Sequence, residues 1–152
     1  MIELELVGVR VELPHNQPIV LLKESTGERF LPIWIGAVEA TSIAFALQGV
    51  ETARPMTHDL MKDLLEALTV DVERIVVTEL KDGTFYAEIL MNGPAGEVRV
   101  SSRPSDAIAL AVRGGIPVFA EEAVLEEAGI LIEDSDDADQ EVEKFKEFLD
   151  NV

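Results

Sequence analysis

The sequence predicts a single α+β domain: a mostly antiparallel sheet around two buried helices, with an amphipathic helix appended at the C-terminus. Three observations carry this expectation. Apolar residues alternate at period two in several short segments separated by Gly, Pro and Asp, the pattern of half-buried strands. From Ala107 to Val112 no side chain is polar, so a helix there has no solvent face and belongs inside the fold. A shift of 65 positions lays Ile33, Ile35, Ile43, Ala44, Ala46 and Gly49 onto Val98, Val100, Ile108, Ala109, Ala111 and Gly114. The implied unit is strand, strand, strand, helix, used twice as a pseudo-repeat.

The elements follow in order. Ile2, Leu4 and Leu6 alternate with polar neighbours, then the apolar phase slips to Val7, Val9, Val11 and Leu13, which predicts a bulge at Gly8. Pro14 to Pro18 reads as a loop, Ile19 to Lys23 as a strand, Ser25 to Gly27 as a turn and Phe30 to Ile35 as a strand holding Trp34 in the core. A helix spans Ala37 to Gln48 and stops at Gly49. Thr57 is expected to cap a second helix, whose Leu60, Leu64, Leu65 and Leu68 form one apolar stripe. Strands Val72 to Leu80 and Thr84 to Met91 flank Lys81-Asp82-Gly83, a hairpin signal. After Asn92 to Gly96 and a strand over Glu97 to Ser101, Ser102 and Pro104 mark the start of the central helix, and Gly114-Gly115 its end. Pro117 to Ala120 reads as a short strand and Glu122 to Ala128 as a short helix. The domain is expected to close near residue 131. Residues 132–152 then form an acidic linker, Glu133 to Asp139, and a helix with Val142, Phe145, Phe148 and Leu149 on one face, for docking on the body or on a second copy.

Composition narrows the function. The chain has 152 residues and a formal net charge of −18, with no cysteine and only two histidines, His15 and His58. Thiolate catalysis, cysteine-based metal centres and multi-histidine sites are thereby excluded. From Glu121 to Val152 there are 13 acidic and 2 basic residues, against 17 and 10 in the preceding 120, so the acidity gathers in the tail. No apolar run exceeds about six residues, far short of the roughly 20 that span a bilayer. The expectation is a cytoplasmic chain with no membrane partner. A body this acidic needs a local Arg cluster or a divalent ion to hold a polyanion.

Three clusters hold the chemistry, each with a carboxylate in the first turn of a helix: Glu39 after Gly36, Asp59 beside His58 and Arg54, and Asp106 beside Arg103 and Ser105. Two readings fit. In one, Glu39, Asp59 and Asp106 hold Mg²⁺ or Mn²⁺, His58 accepts a proton, and Arg103 and Arg54 grip the phosphate of a scissile phosphodiester, without an organic cofactor. In the other, the acids compensate helix dipoles, an effect of about 0.3–1 kcal/mol each. The arginines and acids then form a network locking a non-catalytic, oligomeric binding or regulatory module.

Four ordered motifs carry a resemblance. Leu31-Pro-Ile-Trp-Ile-Gly36 with Glu39-Ala40, Arg54-Pro-Met-Thr-His-Asp-Leu60, Asp82-Gly-Thr-Phe-Tyr-Ala87 and Arg103-Pro-Ser-Asp-Ala-Ile-Ala-Leu110 together resemble the bifunctional nuclease domain family over about Ile2 to Leu131. The resemblance implies a compact α+β domain and nuclease activity on DNA and RNA. Its motif acids fall here on Glu39, Asp59, Asp82 and Asp106, accompanied by Arg54, His58, Arg103 and Ser105. Relatives often carry Asp-Ala where this chain has Ser101-Ser102. A homo-oligomer, most simply a dimer, is expected from the apolar stripe of the last helix.

Overall fold

A computed structural model of the chain describes residues 1–12 and 17–132. Residue 13, residues 14–16 of the expected loop with His15, the acidic linker and the terminal helix lie outside the described residues, whereas Gln17 and Pro18, also expected in that loop, already belong to the second strand. The elements are β1 (Ile2–Glu12), β2 (Gln17–Glu24), β3 (Arg29–Trp34), α1 (Ala37–Gln48), α2 (Thr57–Ala67), β4 (Asp71–Lys81), β5 (Thr84–Gly93), β6 (Gly96–Ser102), α3 (Pro104–Gly114), β7 (Val118–Ala120), α4 (Glu122–Ala128) and β8 (Ile130–Leu131). This is the α+β class read from the alternating pattern. Among the described residues no helix is long and apolar enough to cross a membrane.

One eight-stranded sheet runs β6-β5-β4-β7-β1-β2-β3-β8. Every neighbouring pair is antiparallel except β4 with β7. Tight turns explain the hairpins. Asp82 (φ 52°) and Gly83 (φ 76°) both adopt positive φ, the type I′ geometry that matches strand twist. The phase slip at Gly8 is a bulge, with register shifting between Leu6 and Gly8 against β2. The three residues of β7 fit between β1 and β4, pairing antiparallel with the first and parallel with the second, and so join two hairpin groups into one sheet. The order strand, strand, strand, helix occurs in both halves, with β1 starting at residue 2 and β4 at 71, α1 at 37 and α3 at 104.

α3 lies at the centre, as its all-apolar middle requires. Ala107, Ile108, Ala109, Leu110 and Ala111 are all buried, packed between α1, α2 and the sheet. Small side chains let these backbones approach, while Ile108 and Leu110 fill the two adjoining apolar clusters. α1 is less enclosed than its composition predicts: Ala40 and Ile43 are buried, yet Val38 and Leu47 face solvent. The stripe on α2 is wider than its contact surface. Met61 and Leu65 pack inward, whereas Leu60, Leu64 and Leu68 are at least half exposed.

The helix starts also differ from the sequence reading in detail. Thr57 is the first residue inside α2 rather than its cap, and Asp59 Oδ2 accepts the Met56 N–H at 3.0 Å. For α3 the cap position is Arg103, with Pro104 at the first helical position. Ser102 instead donates its hydroxyl to the Arg103 carbonyl at 2.9 Å. These three helix N-termini, α1, α2 and α3, carry the motif residues.

Candidate functional site

α3 holds Arg103 just ahead of its first turn and Asp106 within it, so Arg103 Nε reaches the Asp106 Oδ2 at 2.9 Å. The same guanidinium crosses to α1, where Nη2 donates to Glu39 Oε1 at 2.6 Å. Gly36 permits this. A Cβ there would meet the Glu39 carboxylate, which folds back over the helix start. From α2, His58 Nε2 bonds Asp106 Oδ1 at 3.0 Å, and its Nδ1 lies 2.6 Å from Ser42 Oγ on α1. With Asp106 ionised, Nε2 is the donor; in the neutral ring Nδ1 then accepts the Ser42 hydroxyl proton. The result is a continuous polar chain Glu39, Arg103, Asp106, His58, Ser42 that ties three helices together.

Exposure falls along that chain. The Arg103 side chain is 67% exposed, Asp106 27% and His58 6%. Burial pushes the Asp106 carboxyl up, but hydrogen bonds from His58 and Arg103 outweigh it and hold it below the usual carboxylate range. Asp106 and Glu39 in turn raise the Arg103 guanidinium. Asp106 is therefore a fixed anion rather than a strong base, and His58 is enclosed with both nitrogens engaged.

Asp59 goes elsewhere. Its Oδ1 accepts Arg113 Nε at 2.6 Å, and that bond, followed by the Met56 N–H, lowers its carboxyl. Arg113 also donates to the carbonyls of Ala109 and Ser42, at 2.8 and 3.1 Å. This second cluster faces a separate cleft of about 330 Å³ that includes Lys62 and Glu51. Of the three carboxylates expected to share one ion, Glu39 and Asp106 thus accept from Arg103 and Asp59 from Arg113. Among the described residues no group of three or more His, Asp or Glu side chains is placed to hold a metal ion. Arg54 is exposed in the connection before α2, with no ion pair among the described residues. Asp82 occupies the left-handed corner of the β4–β5 turn, which accounts for an Asp there without any ligand.

The open side of Arg103 borders a pocket of about 340 Å³ whose walls include Trp34, Gly36, Phe85, Pro104 and Ser105. Trp34 is 41% exposed, so the expectation that it packs in the core is corrected: it ends β3, where the sheet stops and the pocket opens. Ser105 is buried to 5% exposure along the same wall. Sequence reasoning also passed over Ser42 and Arg113. Their signals were faint: a hydroxyl at a buried helical position, and a basic side chain in the last turn of a helix whose middle is apolar.

Comparison with known proteins adds a frame. The model of the bifunctional nuclease domain matches residues 20–133. Two uncharacterized proteins of Mycobacterium tuberculosis strains are 50% identical to the chain, over 99% of it and 94% of their own length. Bifunctional nuclease 2 of Arabidopsis thaliana is 26% identical over 80% of this chain, and bifunctional nuclease 1 of the same plant 30% identical over 69%. The chain spans only 38% and 33% of those two plant proteins.

Proposed function

The chain belongs to the bifunctional nuclease domain family, and from that premise we propose that it hydrolyses phosphodiester bonds of DNA or RNA at the pocket beside Arg103. The observation that carries this reading is the state of Arg103 itself. It is anchored by Asp106 and Glu39 through Nε and Nη2, while Nη1 has no partner among the described residues and the side chain stays largely exposed. That is an oriented cation with a free edge, set beside the N–H groups that begin α3. A phosphate there takes the guanidinium edge on one oxygen and the first turn of α3 with Ser105 on another. Asp106, kept ionised, orients the attacking water; the P–O bond to that water forms as the P–O bond to the leaving sugar oxygen breaks, the proton the water gives up passes through solvent to the leaving oxygen, and His58 is a positioning residue that holds Asp106. A cytoplasmic location belongs to this proposal.

A divalent ion shared by Glu39, Asp59 and Asp106 does not fit this arrangement, because Arg103 holds one oxygen of Glu39 and one of Asp106 while Arg113 holds one of Asp59. Mg²⁺ or Mn²⁺ would have to displace Arg103 first. The reading therefore rests on the protein's own groups. Its test is cleavage of an end-labelled oligonucleotide by the purified chain, with and without chelator. Arg103→Ala is expected to lower the rate about 100-fold or more, the usual effect of losing one preorganised donor, with little change in melting temperature. Full activity in Arg103→Ala overturns the assignment; abolition of activity by chelator overturns the metal-independent part.

A specific observation favours a second reading, a non-catalytic module: both arginine clusters bind carboxylates across helices, as a structural lock does. Absence of cleavage, with Asp106→Asn lowering only the melting temperature, supports it. In either reading we place self-association on α2. Leu60, Leu64 and Leu68 recur every fourth residue on its exposed side. An antiparallel second copy centred on Leu64 sets Leu60 against the partner's Leu68, a self-complementary pairing of apolar rows.

A further inference from the structure

We infer that the pocket beside Arg103 takes one unpaired nucleotide unit of a single strand, its base stacked on Trp34 and its phosphate on Arg103. The inference rests on the reading that this site binds nucleic acid, and goes beyond it in naming strandedness and the residue that selects it. Four observations support it. Trp34 is the only tryptophan of the chain, and it stands 41% exposed where its strand ends, instead of filling the core. Phe85 shares the same wall, so the pocket has aromatic surface opposite to what a phosphate needs and suited to what a base needs. Arg103 supplies a directed cation with a free Nη1 edge. Ser105, 95% buried, lines the pocket beside Arg103.

Size and charge then decide between strand forms. About 340 Å³ lies at the small end of the range for ligand pockets and suits one nucleotide, not a duplex. A base inside a double helix hides its faces against its neighbours, so an aromatic platform in a concavity meets only a base that is already unstacked or flipped. A net charge of −18 also removes the broad cationic surface on which duplex binding depends, leaving stacking to carry the affinity. Stacking tolerates any base, because every base has a flat face. The pocket is thus expected to discriminate by strandedness more than by sequence.

Because the chain has one tryptophan, its intrinsic emission reports on this contact alone. Titration of the full chain with oligothymidylate is expected to quench Trp34 emission saturably, and the same length of duplex is expected to bind at least tenfold more weakly. With a fluorescein-labelled single strand, anisotropy should show Trp34→Ala binding about tenfold more weakly and Trp34→Phe close to the parent, since a phenyl ring still stacks. Circular dichroism melts of both variants confirm that the fold persists. Equal quenching by single strand and duplex, or Trp34→Ala binding as tightly as the parent, overturns the inference. Binding with this pattern and no cleavage supports the inference while removing the nuclease reading. Cleavage of single strands at an unchanged KM in Trp34→Ala does the reverse.

Discussion

Arg113 connects three elements with one side chain. It pairs with Asp59 on α2, donates to the Ser42 carbonyl on α1 and caps its own helix at Ala109. Its side chain is only 9% exposed, so removal takes a buried donor from both the Asp59 carboxylate and the Ser42 carbonyl. Arg113→Ala is expected to cost about 1.5–3 kcal/mol, the range for hydrogen bonds to charged groups, measured by urea unfolding. The pH dependence follows from the same pair. Arg113 holds the Asp59 carboxyl below its ordinary value. A depressed carboxyl adds stability that is complete above the unfolded-chain value, about 3.9 for Asp, and is lost as pH falls through the lower folded value. Melting temperature is therefore expected to drop on acidification below about pH 4. Asp59→Asn should be less stable at neutral pH and show a shallower acid limb; an acid limb as steep as the parent's shows that other carboxyls dominate.

At the level of elements, α3 and α2 place opposite demands on their side chains. Ala109 is fully buried in the core cluster where α3 meets its neighbours. Ala109→Leu is expected to destabilise by about 1–3 kcal/mol through overpacking, read as a lower urea midpoint at constant slope. On α2 the exposed leucine row invites company instead. Sedimentation at micromolar concentration is expected to show a dimer for the parent and a monomer for Leu64→Glu, whose charge would face its own copy across the two-fold axis. An unchanged sedimentation coefficient in Leu64→Glu removes α2 from the interface. Both elements were visible in the sequence, but to different depths. The six-residue apolar run fixed α3 in the middle of the fold, since no rotation of that helix exposes a polar face. The α2 stripe showed a helix with an apolar side and left open how much of that side the body covers. Only packing decides that Met61 and Leu65 turn inward while Leu60, Leu64 and Leu68 do not.

Across the whole molecule the acidic balance sets how nucleic acid can be held. With one free guanidinium edge at the pocket, the slope of log K against log salt is expected near −0.7, the value for about one neutralised phosphate on a single strand. A slope of about −3 or steeper would mean that other cations take part. The molecule also shows where a linear reading stops. Strand alternation, the glycine bulge in β1, the Asp82-Gly83 turn and the apolar α3 are local patterns, written in neighbouring residues and set by backbone sterics and side-chain period. They determined the α+β class, and the ordered motifs gathered the residues that matter at helix starts. Which arginine meets which acid is not local: Arg103 and Glu39, Arg113 and Asp59 are brought together only when α1 and α2 dock on either side of α3. So is the fate of Trp34, whose strand was legible but whose exposure depends on where the sheet ends and the pocket opens. Local chemistry named the candidates in this chain; the packing of three helices on one sheet decided their partners, because charge pairing acts through space and takes no account of distance along the chain.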